Sequence, residues 1–568
     1  MSDDIKHECA VAMVVLRKPP SATGDFGGTK LSLLLEKQHN RGQDGAGAAI
    51  LSANPEPGDE PYWLAKSAFA TPLADVLAAI GRRPASSGRI FLGHLRYATF
   101  GKNEEKFCHP FVHESSELAH TLLLAGNFNL TNAHELFDEY AHHGSFPTSK
   151  ADGYLICELI ARELEKLLSL WGVSEFRSLD ETSSKNLQDS KTPSNESDIS
   201  QALGKALAEA DGAWTLCGMT GDGWAFATRD QHGIRPGYYY LDDDVVVVAS
   251  ERPAIQAAFD VPPEAVKELP RGEALIVSPG GEVQMVELCS PKPPPRACVF
   301  ERIYFSRAND ADIHHERKAL GAALVPQILA AAASPLEDIF FSYIPNSARI
   351  AFHGMLERLF DEHGKIRFGE IAVKDAKFRT FIADAAARRE FYKHVYDVTY
   401  GLVRPGRDTL VVLDDSIVRG NTMKNAILPM LDRLGPKRII IASSAPPIRY
   451  PDCYGIDMST LGELVAFRAL VNLLGSTAER ELRESDLPSL YARFTDEQHG
   501  AEIARLLTPP GMKAEVKVVY QSIDALHAAC PGSSGDWYFT GDYPTPGGYK
   551  VLHNALSNYL ARNSERSY

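Results

Sequence analysis

Short apolar runs separated by polar turns fill the chain from Cys9 to about residue 265: "CAVAMVVL", "RIFLGHLRY", "TLLLAGNF", "AWTLCGMT", "WAFATRD", "GYYYL" and "DVVVVAS". Runs of this length, rich in β-branched and aromatic residues, predict strands. Two stretches, "KLSLLLEKQ" and "DGYLICELIARELEKLLSLW", predict helices. In the second, Leu155, Ile156, Leu159, Ile160 and Leu164 recur at helical spacing. The mix predicts helices layered on antiparallel sheets. "SLDETSSKNLQDSKTPSNESDISQ" lies within this region, is rich in Ser, Asn, Asp and Lys and lacks aromatics. It predicts a disordered insertion over about 175–202.

"CSPKPPPRA", residues 289–297, reads as a stiff connector between domains. Beyond it the pattern changes. "DTLVVLD" predicts a buried strand, "MKNAILPMLDRLG" a helix and "KRIIIASSAPP" a second strand. That βαβ unit implies a parallel sheet. Pro429 inside the helix predicts a kink or a boundary.

The chain has 568 residues, enough for two to four domains, and 44% of them are apolar, an ordinary soluble composition. Its net charge of −15 argues against a nucleic-acid partner. The eight cysteines include no close pair, so neither a zinc site nor a disulfide framework is signalled. The first apolar run is too short for a secretory or membrane-spanning segment, which leaves the cytoplasm as the expected location.

The sharpest chemical signal is "TLVVLDDSIVRGNT", residues 409–422. An apolar strand ends in Asp414 and Asp415, and a loop with Ser416, Gly420 and Thr422 leads into a helix. Loop amides at a helix start form an anion site. Two carboxylates beside it suit ribose hydroxyls or Mg²⁺. The plain alternative is a strand–turn–helix with an acidic cap.

This string resembles the ribosyl-phosphate motif of type I phosphoribosyltransferases, and most closely that of the glutamine phosphoribosylpyrophosphate amidotransferases. "HECAVAM", "HNRGQDGAG", "GHLRYATFG", "GNFNLTN", "RDQHGIRP", "VVASERPAI", "CVFERIYFSR", "SSAPPIRYPDCYGIDM" and "YFTGDYPTP" are similar to pieces of that family, in its order. The resemblance implies an α/β and α+β two-domain fold. Residues 9–288 would form a four-layer αββα N-terminal-nucleophile hydrolase domain, a class II glutamine amidotransferase. After the linker, 298–480 would form an α/β type I phosphoribosyltransferase domain, with 481–568 packing on it as an extension.

In such a hydrolase the thiol attacks an amide and its own α-amine relays the proton. Cys9 would therefore need residues 1–8 removed as a propeptide. The motifs imply that Arg96 clamps the glutamine carboxylate, Asp152 pairs with its ammonium, and Arg41 and Gly42 line the pocket. Asn127 would stabilise the oxyanion from its side chain, and Phe128 would do so from its backbone N–H. Ala10 and Phe128 stand where the family commonly has glycines. Were positive φ needed at 128, phenylalanine would be strained there.

On the transferase side, Asp414 and Asp415 would hold the ribose and take part in Mg²⁺ binding. The amides of Ser416, Ile417, Val418, Arg419, Gly420, Asn421 and Thr422, with the two hydroxyls, would hold the 5′-phosphate. "IPNSA", with Ser347, would be a pyrophosphate loop. "AVKDAKFRTFI" would be a closing loop, with Lys374 and Arg379 as its cations. Asn421 replaces a familiar threonine. Some family members carry an iron–sulfur cluster. Here only Cys298 falls at a ligand position, Cys453 is one residue away, and Gly535 and Tyr538 occupy the remaining places, so no cluster is expected. Purine nucleotides as inhibitors and a homo-oligomer are also implied.

Overall fold

The computed structural model describes residues 9–18, 25–53, 58, 60–83, 88–97, 104–142, 147–178, 196–374 and 396–563. The expected propeptide and Arg379 lie outside them. The strands of the first half are β1 (Ala10–Leu16), β2 (Gly45–Ser52), β3 (Tyr62–Ser67), β4 (Gly88–Arg96), β5 (Phe111–His113), β6 (Leu122–Leu130), β7 (Gly212–Thr220), β8 (Ala225–Arg229), β9 (Tyr238–Leu241), β10 (Val245–Ala249), β11 (Lys267–Glu268), β12 (Glu273–Val277) and β13 (Val283–Glu287). They form a seven-stranded sheet, β11-β9-β10-β1-β4-β2-β3, and a six-stranded sheet, β13-β12-β8-β7-β6-β5. Pairing within both is antiparallel, as the mix of short apolar runs and helices predicts.

The two sheets face each other. Val11, Met13 and Leu92 of one meet Leu123, Ala125, Cys217 and Ala227 of the other in a shared core. On the outer side of the first sheet lie α1 (Phe26–Lys37), α2 (Pro72–Gly81) and α6 (Arg252–Phe259). On the outer side of the second lie α3 (Ala133–His142), α4 (Asp152–Ser178) and α5 (Glu196–Ala208). The strands read as continuous apolar runs because both of their faces are covered. The insertion is shorter than expected at its C-terminal end. A helix begins at Glu196 and buries Ile199, Ala202 and Leu203, while residues 179–195 lie outside the described residues.

The second half holds β14 (Ile339–Tyr343), β15 (Arg367–Phe368), β16 (Ala372–Lys374), β17 (Tyr396–Val398), β18 (Thr409–Asp414), β19 (Arg438–Ser443) and β20 (Glu515–Tyr520). The order β15-β14-β18-β19-β20 is parallel throughout, and helices cover both faces. The helix after β18 opens with a π-helical segment, Met423–Ile427, and continues as α-helix over Leu428–Asp432. The boundary falls at Pro429, whose missing N–H a regular helix would have to accommodate. The stretch expected to be an extension, 481–568, instead supplies β20, the edge strand of this sheet. "EVKVVY" is half polar and follows two helices, which concealed it.

The connector 289–297 is held against the first half: Arg296 N–H donates to the His232 carbonyl and Arg271 Nη1 to the Pro293 carbonyl. A third core, joining Ile234, Phe300, Tyr454, Trp537 and Tyr538, ties the halves together. Among the described residues no helix is long and apolar enough to cross a membrane.

Candidate active sites

The first site forms where β1 and α4 begin and β4 and β6 end. Cys9 immediately precedes β1, and its Sγ accepts from the Tyr97 N–H at 3.3 Å. Burial pushes the thiol up to about 11, against the Tyr97 hydrogen bond and the Arg96 charge. A thiol so shifted stays protonated at neutral pH and needs a base at hand to become a nucleophile. Arg96 closes β4 and is buried, with its guanidinium over the Phe107 ring. Asp152 opens α4. Burial raises its carboxyl to about 6 although the Gly153 and Leu130 amides donate to it. Cys9, Arg96 and Asp152 are near enough to perturb one another.

Asn127 and Phe128 lie on β6, in the facing sheet. Phe128 is in extended backbone and is not among the positive-φ residues, so the strain it invited does not arise. Its ring rests on His109, with centroids 5.5 Å apart, and on Gly153, where a Cβ would come within 3.0 Å of it. A glycine at 153 makes room for two rings, Phe111, which a Cβ would meet at 2.5 Å, and Phe128. Gly42 presses on the Leu95 and Arg96 backbone, where a Cβ would stand 2.5 Å from the Leu95 carbonyl carbon.

Arg41 corrects one expectation. Its side chain points away from this pocket, into the junction between the halves. Nε donates to Glu251 at 2.8 Å, while Nη1 and Nη2 reach Glu301 at 3.1 and 2.5 Å. Burial pushes the Glu301 carboxyl up, and Arg41 more than offsets this, holding it below the ordinary range. The motif located Arg41 correctly and could not say which way its side chain turns. Breaking a buried pair strands the partner charges. Arg41→Met is therefore expected to cost about 3–5 kcal/mol in denaturant unfolding.

The second site is a cleft of about 790 Å³. Its floor is the loop after β18, Asp414 through Gly420, with Thr422. Residues 344–347 and Arg349 form one wall, and 304–309 with Glu36, Lys37 and Asn40 of the first half form the other. Asn40 thus lines the cleft, Arg41 fills the junction and Gly42 touches the Arg96 backbone, so three consecutive residues link the two sites. In the loop, Ile417 and Val418 bury their side chains and Val418 accepts from Val465 N–H at 2.9 Å. Gly420 sits at φ +76°, and a Cβ there would meet Leu507 at 2.2 Å. Gly420→Ala is accordingly expected to weaken substrate affinity at least tenfold in a binding titration, since position 420 fails on both backbone and space.

The Asp415 carboxylate accepts from the Ser416 hydroxyl at 2.9 Å and from the Ser347 hydroxyl, joining the two loops. Burial, then the neighbouring Asp415, raises the Asp414 carboxyl well above its usual range, and burial raises Asp415. Arg419 lines the cleft, while its guanidinium reaches Glu463, 2.7 Å away, and the Asp457 carbonyl, which leaves its backbone amide as the group expected at the phosphate. One further expectation is corrected: Asn421 is exposed and is not part of the lining. Lys374 ends β16, but its side chain lies outside the described residues.

The expected cluster position is filled by protein. Cys298 Sγ is 3.5 Å from the Tyr538 hydroxyl, which accepts from Phe300 N–H at 2.8 Å. A buried phenol and Gly535, bridged to Cys298, do not make a ligand set for iron.

No family model matches the chain. A curated amidophosphoribosyltransferase of Archaeoglobus fulgidus is 29% identical over 395 residues, covering 68% of this chain and 75% of its own length. One from Staphylococcus epidermidis is 26% identical over 539 residues, covering 94% of this chain and 90% of its own. The chain is thus similar to amidophosphoribosyltransferases along nearly its whole length. Among solved structures, the glutamine phosphoribosylpyrophosphate amidotransferase from B. subtilis, complexed with ADP and GMP, has the same fold. The TM-score is 0.67 at 24% identity, over 94% of this chain and 97% of that one. A structure of the allosteric regulatory enzyme of purine biosynthesis matches at TM-score 0.67 and 25% identity, over 94% and 96%. The match to the Staphylococcus relative covers nearly the whole chain, so the likeness extends over both halves.

Proposed function

We infer that this chain forms 5-phosphoribosylamine, glutamate and pyrophosphate from phosphoribosyl pyrophosphate, glutamine and water, the first step of purine synthesis. One observation carries the reading. A single chain joins a cysteine at a strand head, beside a buried arginine and a half-buried aspartate, to a phosphate loop in a parallel sheet, and a relative with that reaction matches along nearly its full length.

The finer assignments are proposals. The two facing sheets with outer helices support a four-layer αββα N-terminal-nucleophile hydrolase, and the parallel sheet supports a type I phosphoribosyltransferase fold. Residues 1–8 are removed, so that Cys9 carries a free α-amine. Arg96 clamps the glutamine carboxylate through its planar fork, and Asp152 takes the ammonium. The α-amine accepts the thiol proton, Sγ attacks the amide carbon, and Asn127 with the Phe128 N–H stabilises the oxyanion. The amine then passes the proton to the leaving ammonia, and water hydrolyses the thioester to glutamate. In the cleft, ammonia attacks C1 of the ribose as the C1–O bond to pyrophosphate breaks. Asp414 and Asp415 orient the ribose hydroxyls, and the loop amides with Ser416 and Thr422 hold the 5′-phosphate.

Mg²⁺ fits this donor set. Two carboxylates pushed up by burial at a strand end want a positive charge, and Mg²⁺ is commonly held by one or two carboxylates plus substrate phosphates. Held by Asp414 and Asp415, it would supply positive charge against the pyrophosphate. Purine nucleotides are proposed as inhibitors, and a cytoplasmic homo-oligomer as the working form.

Equal release of glutamate and pyrophosphate from glutamine, phosphoribosyl pyrophosphate and Mg²⁺ tests the function. Pyrophosphate released with ammonium but never with glutamine would leave only a transferase. The Asp152 role predicts a pH signature. The carboxylate is lost as pH falls through about 6, so KM for glutamine should rise roughly tenfold per pH unit below that. The rate with ammonium, compared at equal free ammonia, should not follow it.

A further inference from the structure

The strand that carries Asn127 loses its neighbour just before the site. β5 pairs with β6 only as far as Phe111 opposite Leu124, so no strand neighbour reaches Gly126. Backbone groups along an antiparallel strand face alternate sides. Thr131 N–H donates to Asp211, whereas Trp214 turns its N–H and C=O to Asp230. The even-numbered residues of β6 therefore direct their backbone groups away from β7, to the edge that β5 has left. Leu130 N–H on that edge donates to the Asp152 carboxylate. The next position back is Phe128, and the next is Gly126.

Two imidazoles take over the missing strand's work at Gly126. Its N–H donates to Nδ1 of His109 at 3.3 Å, and its carbonyl accepts from Nε2 of His94 at 3.0 Å. The rings are stacked, with centroids 4.0 Å apart and planes 9° from parallel, and both residues are buried. The bonds fix the tautomers: Nδ1 of His109 is bare and Nε2 of His94 carries hydrogen. Burial drives His94 down to about 3 and holds His109 well below its ordinary range, so both stay neutral at working pH.

We propose that His94 and His109 are positioning residues of the glutaminase half, gripping one peptide by both its groups and so setting the strand edge from which Asn127 and the Phe128 N–H meet the oxyanion. The inference rests on the oxyanion role proposed above. Neither imidazole touches substrate. A donor displaced from the oxyanion acts mainly on the transition state, so the loss belongs in kcat.

The test uses the full processed chain and compares His94→Leu and His109→Leu with His94→Gln and His109→Asn. Glutamine places an amide donor where Nε2 was, and asparagine places a carbonyl acceptor where Nδ1 was. The leucine variants should lower glutamine-dependent kcat at least tenfold, with KM for glutamine within about twofold and the ammonium-dependent rate kept, on the scale of a displaced oxyanion donor. The conservative pair should recover to within about threefold of the parent. Undiminished kcat in the leucine variants overturns the proposal. So does a loss shared equally by the ammonium-dependent rate, or a conservative pair as slow as the leucines. Asn127→Ala run alongside separates the layers: if it keeps full glutamine-dependent kcat, the oxyanion reading itself fails, whatever the histidine variants do.

Discussion

Cys9→Ala is expected to lose glutamine-dependent product formation by about 10⁴-fold or more, the scale on which removing a nucleophile acts. Synthesis with ammonium should stay within about twofold. The split follows from the architecture. Cys9 belongs to the two-sheet half, and the phosphate loop to a parallel sheet with its own cores on both faces. Cys9 is only partly exposed and its thiol meets the Tyr97 backbone N–H and carbonyl, so alanine removes little packing. Full glutamine-dependent activity in Cys9→Ala would exclude the thiol as nucleophile. Equal loss with both nitrogen donors would mean that the transferase half had been damaged.

Asp414→Asn and Asp415→Asn should do the opposite, lowering the rate with both nitrogen donors by roughly 10²–10³-fold, the size of effect seen when a charged transition-state contact is removed. Asp415 should lose more in affinity, because its carboxylate also joins the Ser347 loop to Ser416. The same variants should gain stability. Both carboxyls are raised in the folded protein, so folding is favoured as pH falls and the charged pair costs stability at neutral pH. Removing one charge relieves that cost, and the melting temperature of each variant should rise by a few degrees. Steady-state rates with ammonium and a thermal melt check the two parts together. An asparagine variant that melts lower and turns over normally would contradict both.

The strands of the first half were legible because their apolar runs are covered on both faces. The phosphate loop was legible because its parts are consecutive in sequence. What the sequence hid was direction and distance. Arg41 and Arg419 sit in motifs at the sites, yet their guanidinium groups turn to Glu251 and Glu301, and to Glu463, carboxylates far away in the chain. β20 was obscured by its polar alternation at a sheet edge. The grip of His94 and His109 on Gly126 depends on β5 stopping short, which no local pattern announces. His94 stands within "GHLRYATFG" and His109 beside Pro110, and neither stretch signals a role for its imidazole. Phe128 read as a possible strain, and only the strand geometry with Gly153 beneath its ring resolved it.

The central claim is that Cys9 acts with its own amine. The most direct measurement is the intact mass and N-terminal sequence of protein purified by its glutamine-dependent activity. The account predicts a chain that begins at Cys9. Glutamine-dependent turnover by a chain that still begins at Met1 or Ser2, with the Cys9 nitrogen locked in a peptide bond, would contradict it.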